Sequence, residues 1–202
     1  MKEVIMGGVS PQNKLVGVNN RFGNPGLKKQ QGSTIEIYDI EELDPTQTSY
    51  EFFINSKNKQ FPFTNLVDSK LQPQESFVLE RAYFTFITRD DATGEFTVQR
   101  TLALGTDAGL IMGEIEVQIE NQRVVKPIPL RSFVPEFNPY ADNDIVNVFE
   151  FLTQIVIPPL LTFKGTVKFP AGSIPTPAAG TTNFLALTFG GPGGIFAPKS
   201  NY

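Results

Sequence analysis

The fold class of this chain is decided by the stretch Gly113-Glu114-Ile115-Glu116-Val117-Gln118-Ile119-Glu120. Its three β-branched residues alternate strictly with polar ones. Because successive side chains of a strand point to opposite faces, this pattern predicts a β-strand with one dry face and one wet face. Strands of parallel α/β sheets are covered on both faces and read as unbroken apolar runs, so half-wet strands are typical of antiparallel sandwiches and barrels.

Strand signals recur on both sides of this stretch. Residues 77–89 alternate over the longest distance, and residues 89–94 form a turn with Gly94 at its end, from which 95–104 returns. Two such runs around a short Gly-containing turn predict a β-hairpin. Further strands are predicted at 34–38, 50–54, 160–169 and 183–189.

The segment 145–157 suits either a strand or a helix, since its apolar residues also have helical spacing and Asn143 or Asp144 would cap a helix. We favour the strand, because the segment is rich in β-branched residues and is followed by Pro158-Pro159.

Glycine and proline mark the predicted ends of regular structure. The glycine-rich residues 190–194 are expected to end the last strand, and a long irregular connection is expected where four prolines cluster. These are Pro127, Pro129, Pro135 and Pro139.

These signals predict eight or nine strands joined by several long connections. The fold expected is all-β: an antiparallel β-sandwich, most economically a single eight-stranded jelly roll, with an immunoglobulin-like sandwich as the alternative. The predicted organisation is an extended N-terminal arm at 1–33, a jelly-roll domain at 34–190 and a Gly/Pro-rich tail at 191–202.

The composition argues against an enzyme. The 202 residues include no Cys, no His and no Trp. Without Cys and His the chain lacks thiolate nucleophiles, the commonest general base and the commonest transition-metal ligand. We therefore expect no catalytic residues, no cofactor and no metal site.

Charge is spread unevenly along the chain. Residues 1–33 contain five basic residues against Glu3 alone, a formal charge of +4, so the remainder of a chain with net charge −4 carries −8. A mildly basic arm on an acidic body is the pattern either of an arm that meets an anionic surface or of a soluble polar terminus, and both interpretations stay open. The start of the chain lacks the long apolar region of a secretory signal, and no run reaches the length of a membrane span, so we expect a soluble protein.

Three patterns in the sequence have some likeness to chemical sites. Glu114, Glu116 and Glu120 resemble the paired carboxylates of jelly-roll glycoside hydrolases, but the central Asp of that motif is missing, and a solvated face is expected. The runs 90–95 and 142–144 are rich in Asp and are interpreted as turns, since neither has the ligand spacing of a calcium loop. A cupin centre is excluded by the absence of His.

Phenylalanine is unusually frequent, with 18 residues, and several lie outside the predicted strands. Aromatic residues are enriched in the cores of protein interfaces, although long loops that fold over a sandwich would use them as satellite packing. The predicted interface residues are Phe22, Phe61, Phe63, Phe133, Phe137 and Phe196.

The whole chain resembles viral jelly-roll coat proteins, in the basic arm before Thr34, the strand series up to Phe189 and the glycines that follow. The junction Ile155-Val156-Ile157-Pro158-Pro159 is similar to structural proteins of tailless bacteriophages. The resemblance implies a structural subunit of an icosahedral capsid in the virion, assembled in the host cytoplasm. Its expected partners are copies of itself and other virion proteins.

On this hypothesis the basic side chains of the arm face the interior and make weak contact with nucleic acid; they are Lys14, Arg21, Lys28 and Lys29. The alternative function is a carbohydrate-binding or adhesin-type module on the same sandwich. Such a module needs an exposed aromatic platform, for which Tyr38, Tyr50 and Tyr83 are the candidates, although core packing is the expectation for each.

Overall fold

The computed structural model describes residues 29–54, 56–66, 68–73, 75–102, 106–134 and 148–197. These residues form nine strands and three short 3₁₀ helices. The strands are β1 (Lys29–Glu42), β2 (Ser49–Phe52), β3 (Glu75–Asp90), β4 (Phe96–Thr101), β5 (Glu114–Ile119), β6 (Gln122–Pro129), β7 (Val148–Ile157), β8 (Phe163–Lys168) and β9 (Thr181–Ala197). The 3₁₀ helices lie at Ser56–Asn58, Leu110–Met112 and Leu130–Phe133.

The strands form two antiparallel sheets. One has four strands in the order β2-β8-β5-β6, and the other has five, in the order β1-β9-β3-β4 with β7 also paired to β3. The long strand β3 pairs with β9 along one edge. Its other edge is shared, since β7 pairs with Phe77–Tyr83 and β4 with Thr85–Arg89.

The pairing of the strands is nested in sequence. With β4 set aside, the first strand pairs with the last, the second with the last but one, the third with β7, and β5 with β6. This nested pairing is what results when one long hairpin of eight strands rolls up into two sheets. It is the connectivity of the jelly roll. The predicted fold is confirmed, and β4 is an added strand.

Phenylalanine and leucine are the commonest residues of the described core between the sheets, with nine each. The rings of Phe53 and Phe189 lie 5.0 Å apart, and those of Phe84 and Phe133 lie 5.1 Å apart. The dry face predicted for β5 is confirmed, because Ile115 and Val117 are both fully buried in this core. Edge-to-face and tilted ring pairs of this kind stabilise a core beyond the area they bury.

The prediction that residues 190–194 end the last strand is wrong. Strand β9 continues through these glycines to Ala197. It keeps one register with β1 throughout, whereas its register with β3 shifts between Phe77 and Arg81. A Cβ on Gly191 would lie 1.9 Å from the carbonyl oxygen of Val78, and a Cβ on Gly193 would lie 2.3 Å from the side chain of Ile35. Glycine is therefore needed here for close approach inside the sheet, rather than for a turn.

Two other boundaries differ from the predictions. Strand β1 begins at Lys29, five residues before the predicted start at Thr34, because its first residues pair with the extended β9. Pro127 and Pro129 lie within β6, where an irregular connection was predicted. Because β6 is an edge strand, a residue without a backbone N–H costs the sheet little.

The ambiguous segment before Pro158-Pro159 forms β7, which confirms the strand interpretation. Its pairing with β3 is interrupted, since Leu79 pairs with Ile155 whereas Arg81 pairs with Glu150. Residues 151–154 thus lie opposite Glu80 alone and form a bulge at the edge of the sheet.

Candidate functional site

The outer face of the five-stranded sheet is unusually apolar. Because Ile37, Phe84 and Leu187 point into the core, the residues next to them in sequence point outward. Outward residues from three adjacent strands form a second apolar cluster that contains Ile40, Ile87, Phe184 and Ala186, with Tyr38 and Phe63 packed against it.

The connection between β2 and β3 covers one side of this face. Its backbone accepts a hydrogen bond at Phe63 O from Ile40 N (2.8 Å), and the side chain of Asn65 accepts one from Tyr38 N (2.9 Å) and donates one to Glu36 O (2.7 Å). These bonds occupy the outer edge of β1 from Glu36 to Ile40. That part of the edge is therefore closed to pairing with another strand.

Phe63 is held in an aromatic cluster on this face. Its ring lies 5.7 Å from that of Phe184 and 6.2 Å from that of Phe96, and the guanidinium of Arg89 lies 5.0 Å from the centre of the Phe184 ring. A cation over an aromatic face is attracted by the ring quadrupole. Phe63 therefore serves as satellite packing in the folded chain.

A groove of about 340 Å³ lies beside this cluster. Its floor is Ala186 of β9, which pairs with Ile40 on one side and Thr85 on the other. A methyl group at the centre of three strands leaves a depression that a larger residue would fill. One end of the groove has Tyr38 and Tyr83, which both pair with Thr188 and so stand on either side of it.

The opposite end of the groove is formed by Pro62 and Phe96, and the remaining wall by Ile87 and Gln99. Polar groups therefore surround an apolar floor. Within the part of the chain that the structure describes, the side-chain polar atoms of five lining residues have no hydrogen-bond partner; these are Tyr38, Tyr83, Thr85, Gln99 and Thr188. None of the described lining residues carries a charge.

A buried ionic cluster anchors the covering connection. Lys59 Nζ donates to Asp39 Oδ1 (2.9 Å), to Ile40 O (2.9 Å) and to Glu41 Oε1 (2.6 Å). The Asp39 side chain is fully buried and also accepts a 2.6 Å bond from Phe53 N, whose residue has φ of 72°. Burial raises the pKa of Asp39 and of Glu41, while hydrogen bonding to Lys59 partly offsets the rise.

The carboxylates of β5 have structural partners. Glu116, expected on a wet face, is only 6% exposed; its Oε2 lies 2.9 Å from Arg123 Nη2 and its Oε1 accepts a 3.1 Å bond from Gln118. The expectation of a solvated face is therefore wrong at this residue, because Arg123 on the neighbouring strand folds over it. Glu120 lies in the turn with φ of 50° and accepts a bond from Thr162 N.

Asp90 confirms the turn interpretation of residues 90–95. Its Oδ1 accepts hydrogen bonds from Ala92 N and Thr93 N, both 2.9 Å long, and these bonds lower the pKa of its carboxyl. Among the described residues, no group of three or more carboxylates is placed to hold a metal ion. Residues 142–144 lie outside them.

The predicted interface residues differ in how far the structure exposes them. Phe61 is 85% exposed, and Phe63 is partly buried. Phe133 is only 2% exposed and its ring stacks on Phe149 at 4.9 Å, so it packs in the core and offers no surface to a partner, contrary to the prediction. Phe196 lies in β9.

The other residues predicted at the interface or facing the virion interior are mostly beyond the described part of the chain. Lys29 is the first residue of β1. The rest fall outside: Phe22, Phe137, Lys14, Arg21 and Lys28.

Apart from Phe61, the two most exposed large apolar residues of the described chain were not predicted from the sequence. Leu152, in the bulge of β7, is 100% exposed, and Met112 is 64% exposed. The β7 sequence gives no sign of this, because an apolar residue in a bulge reads like any other strand residue. Only the pairing register with β3 shows that Leu152 protrudes.

The chain matches no protein-family model, no curated protein sequence and no solved structure. Function must therefore be argued from the geometry alone. Within the described residues, no helix has the length and hydrophobicity needed to cross a membrane.

Proposed function

We propose that the protein is a structural subunit of an icosahedral virion and that it acts through contacts with copies of itself and with other virion proteins. The observation that carries the proposal is a jelly roll that leaves one large apolar side chain fully exposed to water and another largely exposed. Jelly rolls are the fold of many viral capsid proteins, although the fold alone does not define a function.

Leu152 and Phe61 are the residues that favour assembly. They lie on different parts of the molecule, one in an edge-strand bulge and one in the connection that covers the sheet, and they are 100% and 85% exposed. If each of these residues contacts a different patch on a neighbouring subunit, the resulting interfaces are heterologous, which means that unlike surfaces meet. Repeated heterologous contacts close into rings or shells when the rotation between subunits allows it.

Charge also favours contact between copies. The segment before β1, residues 1–28, has a formal charge of +3, so the rest of the chain carries −7. A basic arm of one subunit complements the acidic body of another, and such complementarity speeds association and fixes register. With so few basic residues, contact with packaged nucleic acid would be weak and strongly reduced by salt.

The test is the mass of the purified protein, measured by light scattering over roughly a hundredfold range of concentration. The full chain is expected to form closed oligomers or particles. Leu152→Asp and Phe61→Asp place a charge in each apolar contact and should shift the mass toward the monomer at all but the highest concentrations. Asn121→Asp, at an exposed turn of the other sheet, is the matched control.

A chain without residues 1–28 tests the arm separately. The cut is placed there because residues 29–33 pair with β9, and their removal would damage the sheet. Loss of assembly with an unchanged melting temperature is expected. A full-length chain that stays monomeric at every concentration, with the same mass as both variants, would contradict the proposal.

A further inference from the structure

We infer that the groove over Ala186 is a binding site for a neutral saccharide. This site is distinct from the proposed contact at Leu152, because its lining residues lie on the outer face of the five-stranded sheet, but Pro62 at one end of the groove directly follows Phe61, the other proposed contact. The groove has the size of the smaller ligand sites of proteins, which combine apolar walls with a few convergent polar groups.

The two tyrosines supply the apolar surface for a sugar ring. Tyr38 and Tyr83 stand on β1 and β3 with Thr188 of β9 between them, all three at one level of the sheet. A pyranose has a face of C–H bonds that packs on an aromatic ring, and an edge of hydroxyl groups. Tyrosine is suited to both, since its ring is apolar and its tip is a donor and acceptor.

The unpartnered polar groups supply recognition. The hydroxyls of Thr85 and Thr188 and the amide of Gln99 have no hydrogen-bond partner among the described residues. Thr188 is 7% exposed, so its hydroxyl is close to the floor of the groove rather than on an open surface. Groups that both donate and accept, arranged around an apolar floor, match a ligand that carries many hydroxyls.

The charges of the residues in and around the groove argue against an anionic ligand. Arg89, beside the aromatic cluster, is already engaged with the Phe184 ring and with Asp91 at 3.6 Å. Lys59, which bonds the backbone oxygen of Ile40, is neutralised by Asp39 and Glu41. The lining residues are neutral. Binding should therefore be almost independent of salt, since screening acts on charged pairs.

Titration of the full chain with cellotetraose, maltotetraose, mannotetraose and N-acetylchitotetraose tests the inference. Tyrosine fluorescence is a clean reporter, because the chain contains five Tyr and no Trp. At least one of these sugars should bind with a dissociation constant on the order of 0.1–1 mM, as expected for a few well-placed rings. The dissociation constant should change less than about twofold between low and physiological salt.

Three variants locate the site. Ala186→Leu fills the floor and should abolish binding, while Tyr38→Ala and Tyr83→Ala should each weaken it about tenfold or more. Tyr50→Phe is the control, because Tyr50 packs on Phe169, it is not among the residues that line the groove, and its hydroxyl bonds to Asp44. Its affinity should be unchanged, and circular dichroism should show that every variant is folded.

Two results would overturn the inference. One is the absence of binding by all four sugars at about 10 mM to folded wild-type protein, well above the expected dissociation constant. The other is binding that survives Ala186→Leu, or that favours sulfated or sialylated sugars and disappears with salt. The titration is repeated on Phe61→Asp, which should bind the same sugar, so that a groove covered by assembly can be told from a groove that binds no sugar.

Discussion

Replacing Lys59 with methionine is expected to lower the free energy of unfolding by about 3–5 kcal/mol at neutral pH. Lys59 is the only cation that the described residues place against Asp39, whose side chain is fully buried. Methionine keeps the length and apolar stem of the side chain but removes its charge. The carboxylate of Asp39 would then be buried without a counterion, which is far more costly than losing an exposed ion pair.

The loss should depend on pH in a defined direction. Burial raises the pKa of Asp39 in the folded state, so the folded chain holds its proton more tightly than the unfolded chain. The stability linked to that proton is present below the unfolded pKa and is lost as pH rises through the folded pKa. Without Lys59 the folded pKa rises further, so the deficit of the variant relative to wild type should shrink as pH falls.

Urea denaturation at about pH 7 and about pH 4.5 measures both effects. Lys57→Met is the matched control, since Lys57 is exposed two residues away and should change stability by less than about 0.5 kcal/mol. Asp39→Asn combined with Lys59→Met should recover part of the loss. A Lys59→Met deficit equal to that of the control, or one that does not change with pH, would contradict the account.

Gly191→Ala is expected to destabilise the protein by about 3 kcal/mol. The added Cβ would lie 1.9 Å from Val78 O and 3.2 Å from Glu80 N, and both atoms belong to the backbone of β3. A backbone inside a sheet cannot turn aside as a side chain can, so the two strands must separate. For a chain of this size the loss corresponds to a fall of roughly 6–12 °C in melting temperature.

Two other glycine-to-alanine variants give a scale against which the loss of stability in Gly191→Ala can be compared. The three atoms nearest to the Cβ added by Gly193→Ala all belong to the side chain of Ile35, so this variant should cost less than Gly191→Ala. Gly180→Ala meets nothing within 4 Å, although its φ of 78° makes any side chain strained, so about 1 kcal/mol is expected. Thermal unfolding of the three variants should follow this order. An order with Gly180→Ala as the most harmful would show that conformation, rather than close approach, explains these glycines.

Sequence alone could predict most of the fold, because its signals are local. The alternation at Ile115 and Val117 and the turn at Asp90 each identify their structure within a few residues. The glycines of β9 could not be interpreted in the same way. A run of glycines normally indicates a turn, and only the approach of Val78 from another strand shows why the residues are small.

The candidate site was predictable only in part. Tyr38 and Tyr83 stand out in the sequence as candidates for an aromatic platform, and the structure brings them together beside Thr188, whereas Tyr50 lies in the core. The floor gives no sequence signal, since Ala186 matters only because it lies between Ile40 and Thr85. That neighbourhood depends on the register of three strands that are far apart in the chain.

The nested pairing of the strands has a consequence for how the protein is made. Strand β9 lies between β1 and β3, so the ribosome must have synthesised residue 197 before the five-stranded sheet can be completed. Until then, β1 and β3 lack the neighbour that they share, and long-range pairings of this kind form slowly. A nascent chain therefore cannot complete this sheet, or the groove over Ala186 on its outer face, until nearly all of the described sequence exists. Under the proposed function, contact between subunits must then wait until the fold is complete.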